Sequence, residues 1–155
     1  MVYGIILGTD TSYSKTIYVA TTGDDETGDG SQSNPYRTIQ KGVDMCPSGG
    51  IVSVAPGTYT ENITMEGRNH SALIAEGPET VILSAGGSSV IHRAHGTIKG
   101  FKIMGGVNGI HTAGGSLQVI NNTITGNSCG IYGGEDSAYI KVINNVIYNN
   151  KIGIQ

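Results

Sequence analysis

Three stretches in the C-terminal third share one spacing. Ile98-x-Gly100-Phe101-x-Ile103 is followed by Val119-x-Asn121-Asn122-x-Ile124, then by Val142-x-Asn144-Asn145-x-Ile147. Each runs on to a Gly-Ile pair: Gly109-Ile110, Gly130-Ile131 and Gly153-Ile154. Matched positions advance by 21 residues and then by 23. The two extra residues fall between Ile131 and Ile140, in Gly133-Gly134-Glu135-Asp136-Ser137. A period in the low twenties, with short alternating apolar runs broken by Gly and Asn, predicts a β-solenoid. Each unit is one coil that cannot bury its apolar face alone, so stacking makes the core.

Strand residues alternate in and out. The inward positions form aliphatic ladders: Ile98-Val119-Val142, Ile103-Ile124-Ile147 and Ile110-Ile131-Ile154. Asn121 stacks under Asn144, Asn122 under Asn145, and Asn127 under Asn150. Coils lie ~4.8 Å apart, so stacked amides can hydrogen-bond in a column. Asn also tolerates the left-handed backbone of a tight corner. Gly100 and Gly106 take two of these corner positions in the preceding coil. Outward, His111, Tyr132 and Gln155 form one column, and Met104, Thr125 and Tyr148 another. Exposed rings on a flat sheet can stack on sugars, which makes His111, Tyr132 and Tyr148 candidate glycan contacts. The same rings also serve as plain shielding of the sheet.

The N-terminal half is less regular. Val2 to Leu7 suits an edge strand over the solenoid end, or pairing with another chain. Residues 15–20 are β-rich, and 21–35 form a loop dense in Gly, Asp, Ser and Asn. Residues 37–46 carry apolar side chains at helical spacing, Ile39, Val43 and Cys46, between Pro35 and Pro47-Ser-Gly-Gly50. One helix ahead of strands is best placed as a lid over the first coil. The division is 1–16, an extension or edge strand; 17–50, strand, loop and capping helix; and 51–155, coils open at their C-terminal end.

Charged residues are only 14% of the chain, and net charge is −3 with nine scattered Lys and Arg. That is no footprint for nucleic acid. No segment approaches the ~18 apolar residues of a membrane span. The start, Met1 to Gly8, has no basic n-region and too short an apolar core for a signal peptide. Cys46 and Cys129 show no metal spacing and read as buried free thiols.

Glycoside hydrolysis needs two facing carboxylates. After Glu79 the sequence holds only Glu135 and Asp136, adjacent in a Gly-flanked loop. The run Asp24-Asp25-Glu26-Thr27-Gly28-Asp29-Gly30 is the calcium candidate, through Asp24, Asp25 and Asp29. Its alternative is a polar turn whose Asp side chains bond local N–H groups. His92-x-x-His95, with His111 later, is a poor zinc motif, because strand residues three apart face opposite sides. Asn62-Ile-Thr64, Asn69-His-Ser71 and Asn121-Asn-Thr123 match the glycosylation sequon, a pattern that arises by chance in such a composition.

Three segments together carry a resemblance: Ile17-Tyr-Val-Ala-Thr-Thr-Gly-Asp-Asp25, Asn34-Pro-Tyr-Arg-Thr-Ile-Gln-Lys-Gly-Val-Asp44 and Gly50-Ile-Val-Ser-Val-Ala-Pro-Gly-Thr-Tyr-Thr-Glu-Asn62. They resemble the N-terminal portion of secreted right-handed parallel β-helix proteins of the pectate-lyase-like kind. The Asn-Asn-Thr-Ile and Gly-Ile-Tyr coils are similar to repeats of carbohydrate-binding and sugar-hydrolase solenoids. Gly42 departs from the family, which more often carries Ala there. The resemblance implies an all-β, right-handed parallel β-helix with one N-terminal capping helix, located outside the cell or at its surface. With so few carboxylates after Glu79, the leading expectation is a non-catalytic module, structural or glycan-contacting. The rival expectations are the front end of a polysaccharide lyase whose catalytic coils lie elsewhere, and a subunit that stacks end to end in a filament or sheath.

Overall fold

In the computed structural model the described residues are 15–65, 71–112, 114–134 and 139–155. Strand β1 (Thr16–Val19) and helix α1 (Ile39–Met45) come first. The first coil is β2 (Ile51–Val54), β3 (Gly57–Thr60) and β4 (Ile63–Thr64). The second is β5 (Ala72–Ala75), β6 (Thr80–Leu83) and β7 (Ile91–His92). The third is β8 (Gly96–Lys99), β9 (Lys102–Met104) and β10 (Asn108–Thr112). The fourth is β11 (Leu117–Ile120), β12 (Thr123–Thr125) and β13 (Cys129–Gly133). The fifth is β14 (Ile140–Ile143), β15 (Val146–Tyr148) and β16 (Ile152–Ile154). First strands of successive coils pair with one another, as do second and third strands, giving three sheets. Every pair among these strands is parallel. The architecture is a right-handed parallel β-helix, the hand expected of parallel crossovers.

The register builds three apolar columns. Ile17, Val52, Leu73, Ile98, Val119 and Val142 follow one another in the first sheet. Tyr59, Ile82, Ile103, Ile124 and Ile147 do so in the second. In the third, Ile63, Ile91, Ile110, Ile131 and Ile154 are aligned. Through the fourth coil the columns close into one core, against which Ala75, Ile140 and Ile147 are partly buried, while Val142 and Ile154 in the fifth coil are 39% and 55% exposed. β1 pairs with β2 and is the outermost rung of the first sheet. The strand expected over Val2 to Leu7 lies outside the described residues.

Two corners are left-handed. One falls at Gly100 (φ 86°), Asn121 (55°) and Asn144 (53°), the other at Gly105 (85°), Gly126 (67°) and Asn149 (52°). This corrects the expectation for Gly106. It occupies the place of Asn127 and Asn150 one residue on, and its N–H donates to Asn127 Oδ1 at 3.0 Å. A side chain there would meet Asn108 O at 2.7 Å and Val90 Cγ2 at 2.8 Å. It also separates the asparagines by role. Asn121 and Asn144 are exposed corner residues, whereas Asn122, Asn145, Asn127 and Asn150 point into the stack.

Helix α1 is shorter than residues 37–46. The N–H groups of Arg37 and Thr38 donate to Asp25 Oδ1 at 2.8 and 3.0 Å, so the first helical turn starts after them. Thr38 is the N-cap, its hydroxyl accepting from the Lys41 N–H at 3.2 Å. Gly42 faces β1 and β2 so closely that a Cβ would lie 2.5 Å from Val19 Cγ2.

Candidate functional site: an outer-face ring column and a carboxylate-capped lid

The ring column follows from what lies beneath it. Ile91, Ile110 and Ile131 fill the interior in register, so the next residues, His92, His111 and Tyr132, emerge side by side on the outer face. The His92 and His111 rings have centroids 4.9 Å apart at a 40° tilt. His111 and Tyr132 are 5.1 Å apart at 56°. Thr64 lies beside His92 at the lid end. At the other end Gln155 accepts the Gly133 N–H at 2.7 Å. All three rings are half-buried. Burial, then the charges of His92 and Arg93, hold the His111 imidazole below its ordinary pKa. At neutral pH it presents an uncharged ring, suited to stacking on an apolar face.

The structure does not gather all three glycan candidates. Tyr148 lies on β15, in a different sheet, next to Thr125 and then Met104. Thr125, expected on an exposed column, is only 6% exposed, while Tyr148 is 46% exposed. His92 was the residue the repeat spacing missed. Ile91 to Ile110 is an offset of 19, not 21, so the spacing skips it. The readable signal was the dipeptide itself: Ile91-His92, Ile110-His111, Ile131-Tyr132.

The Asp-rich loop has another occupation. Asp24 Oδ1 accepts the N–H groups of Glu26 and Thr27 at 2.7 and 2.8 Å. Asp29 Oδ1 accepts that of Ser31 at 2.8 Å. Asp25 adds Thr38 Oγ1–H, at 2.8 Å on Oδ2, to its two backbone donors. Among the described residues no three His, Cys, Asp or Glu side chains come together as a metal site. Asp24 and Asp29 thus accept N–H groups within the loop, and Asp25 accepts them at the start of the helix.

Glu61, which sequence reading passed over, completes the lid. Its two oxygens accept the N–H groups of Ile39 and Gln40, each at 2.9 Å. Burial raises its pKa against those bonds, and the Asp25 charge adds to the rise. Next to it a cleft of about 340 Å³ is lined by Thr21, Arg37, Thr38, Thr58, Tyr59, Thr60 and Glu61. Tyr59 donates its hydroxyl to Ala55 O at 2.9 Å, and burial pushes its pKa up to about 12. Glu61 is the one carboxylate among these lining residues, and both of its oxygens hold backbone N–H groups.

Comparison with solved structures agrees with this architecture. The crystal structure of pectate lyase Pel9A superposes with a TM-score of 0.75 at 20% identity, over 88% of this chain and 40% of that one. The fold is the pectate-lyase-like parallel β-helix. The chain thus spans well under half the length of that structure. A family model described as a protein of unknown function, DUF1565, matches residues 21–67. That segment of the β-helix holds the Asp-rich loop, α1 and the first coil, including all seven cleft residues. No curated protein matches the chain. No helix among the described residues is long and apolar enough to cross a membrane.

Proposed function

We propose that this chain is the lidded, non-catalytic N-terminal module of a secreted or cell-surface β-helix protein, structural in its core and glycan-contacting on its outer face. The observation that carries the reading is the His92-His111-Tyr132 column, three neighbouring rings on a flat parallel sheet. Ring stacking contributes about 0.5–1.5 kcal/mol per contact. Losing one ring should therefore weaken binding about 2- to 12-fold. Affinity electrophoresis through gels loaded with neutral and acidic polysaccharides tests it. His111→Ala and Tyr132→Ala should reduce retardation, and Tyr148→Ala, on another sheet, should not. Equal retardation of the His111→Ala/Tyr132→Ala double variant would overturn the reading.

Likeness to a pectate lyase favours a second reading, the front part of a polysaccharide lyase. Within this chain the carboxylates oppose it: those of the lid hold backbone N–H groups, and past Glu79 only the adjacent Glu135 and Asp136 occur. Incubation with pectate or alginate and Ca²⁺, followed by ultraviolet detection of unsaturated sugar, separates the two. Turnover that survives repurification establishes the lyase. A third reading, end-to-end association with a second copy, rests on the fifth coil, where the column members Val142 and Ile154 are 39% and 55% exposed. Light scattering that shows a monomer at high concentration dismisses it.

A further inference from the structure

We propose that His92 and His111 form a two-imidazole site for a divalent transition-metal ion of the borderline class, Cu²⁺, Ni²⁺ or Zn²⁺. The two sit directly opposite on neighbouring parallel strands, with centroids 4.9 Å apart. Metal–imidazole bonds are ~2.0–2.1 Å, so one ion bridges nitrogens up to ~4.2 Å apart. Binding therefore requires the two side chains to rotate until one nitrogen of each ring lies within that span. Their backbones are fixed, because Ile91 and Ile110 beneath them are fully buried in the core column. Half-burial on the outer face leaves an open path for the ion and room for water as the remaining ligands.

The surroundings select the class of ion. Ca²⁺ and Mg²⁺ demand several oxygen ligands. No third acidic, His or Cys side chain among the described residues joins the pair. Arg93 follows His92 directly and adds positive charge that disfavours ions held by electrostatics alone. Imidazole suits Cu²⁺, Ni²⁺ and Zn²⁺. The pair is also not the one that sequence spacing suggests. Arg93 turns the chain at φ 52°, and His95 Nδ1 is paired with Arg93 O at 3.0 Å.

The test is titration of the untagged full chain with CuCl₂, NiCl₂ or ZnCl₂ by calorimetry, with no glycan present, so the outcome is separate from the glycan reading. One ion should bind per chain. His92→Gln and His111→Gln should each weaken binding at least tenfold, and His95→Gln less than twofold. A metal-induced rise in Tm should vanish in the two pair variants while their Tm without metal stays near that of the wild type. Paramagnetic Cu²⁺ should broaden the ring signals of His92 and His111 first. Binding that persists in the His92→Gln/His111→Gln double variant, or that is lost in His95→Gln or Cys46→Ala, would overturn the proposal. So would the absence of saturable binding in the wild type.

Discussion

At the lid, backbone N–H groups left over by helix and strand are met by carboxylates; in the third to fifth coils they are met by carboxamides. Asp25 and Glu61 together accept four backbone N–H groups, those of residues 37 to 40. In the regular coils Asn122 Oδ1 accepts the Phe101 N–H at 3.0 Å and Asn145 Oδ1 accepts that of Asn122 at 2.8 Å. Asn127 and Asn150 do the same for Gly106 and Asn127. The amide also donates. Asn122 Nδ2 lies 3.0 Å from Ile98 O, 3.1 Å from Ile120 O and 3.1 Å from Asn145 Oδ1. A group that both accepts and donates can repeat at every coil. A carboxylate cannot, because identical charges ~4.8 Å apart would repel in a poorly solvated column. Single carboxylates therefore suit a lid that occurs once, and asparagines suit what is stacked.

The sharpest way to break that comparison is to put the lid's chemistry into the stack. Asn122 is buried, and Asn122→Asp keeps its size. The new carboxylate would face the carbonyls of Ile98 and Ile120 with nothing to donate. An unpaired buried charge costs about 3–5 kcal/mol. Burial raises the new carboxyl's pKa, so stability should return as pH falls through that raised value. Urea titrations at pH 7 and pH 4 measure both effects. A loss under 1 kcal/mol at pH 7 would mean that the ladder does not require an amide.

Ile124→Ala comes next, in the middle of the second apolar column. It should cost roughly 2–5 kcal/mol, as for a buried aliphatic cut to Ala. Tyr148→Ala, one coil on and outward, should cost far less. Equal shifts in urea midpoint would refute the assignment of inner and outer faces.

These columns are also where the sequence was most legible. Ile103, Ile124 and Ile147 are aligned as their spacing predicts, because a tight corner holds each of them five residues beyond Ile98, Val119 and Val142. Earlier coils hide the same alignment behind longer connections. Ile63 lies beside Ile91, an offset of 28, and Ala72 beside Thr97, an offset of 25. An apolar column survives such insertions, but its period does not, and so β7 went unread. The candidate site fell in that gap. His92 and Glu61 act through partners 19 and 22 residues away, on pairings that no fixed repeat announces.

Gly42→Ala is a smaller test, aimed at the lid. Helix propensity alone would favour Ala by about 1 kcal/mol. The added Cβ would sit 2.5 Å from Val19 Cγ2 and 3.1 Å from Val52 Cγ1. Overpacking of this kind costs about 1–3 kcal/mol. The net effect should be mild destabilisation, read as a lowered Tm. A raised Tm would show that the lid rides loosely on β1 and β2.

The smallest effect is the acid response, and it is where the two regions should part. Desolvation raises the Asp25 pKa, but bonds from Thr38 and Arg37 outweigh it and hold it below the ordinary value. A depressed carboxylate contributes stability above its unfolded pKa, ~3.9, and loses it as pH falls through the folded value. Asp24 and Asp29, lowered by their local bonds, have the same sign. Glu61 has the opposite one. Burial raises it, so its contribution is full below ~4.3 and is lost as pH rises through its folded value. The opposed signs of Asp25 and Glu61 keep the net change small. Amide hydrogen exchange between pH 6 and pH 3 resolves it. After correction for intrinsic rates, Arg37 and Thr38 should lose protection below about pH 4. The amides held by asparagine, Phe101, Gly106, Asn122 and Asn127, should not. Asp25→Asn should flatten the lid's response, because an amide oxygen still accepts the Arg37 and Thr38 N–H groups but no longer titrates. If lid and ladder amides instead lose protection at one pH, the helix opens as a single unit, and the chemical division between its two regions has no energetic meaning.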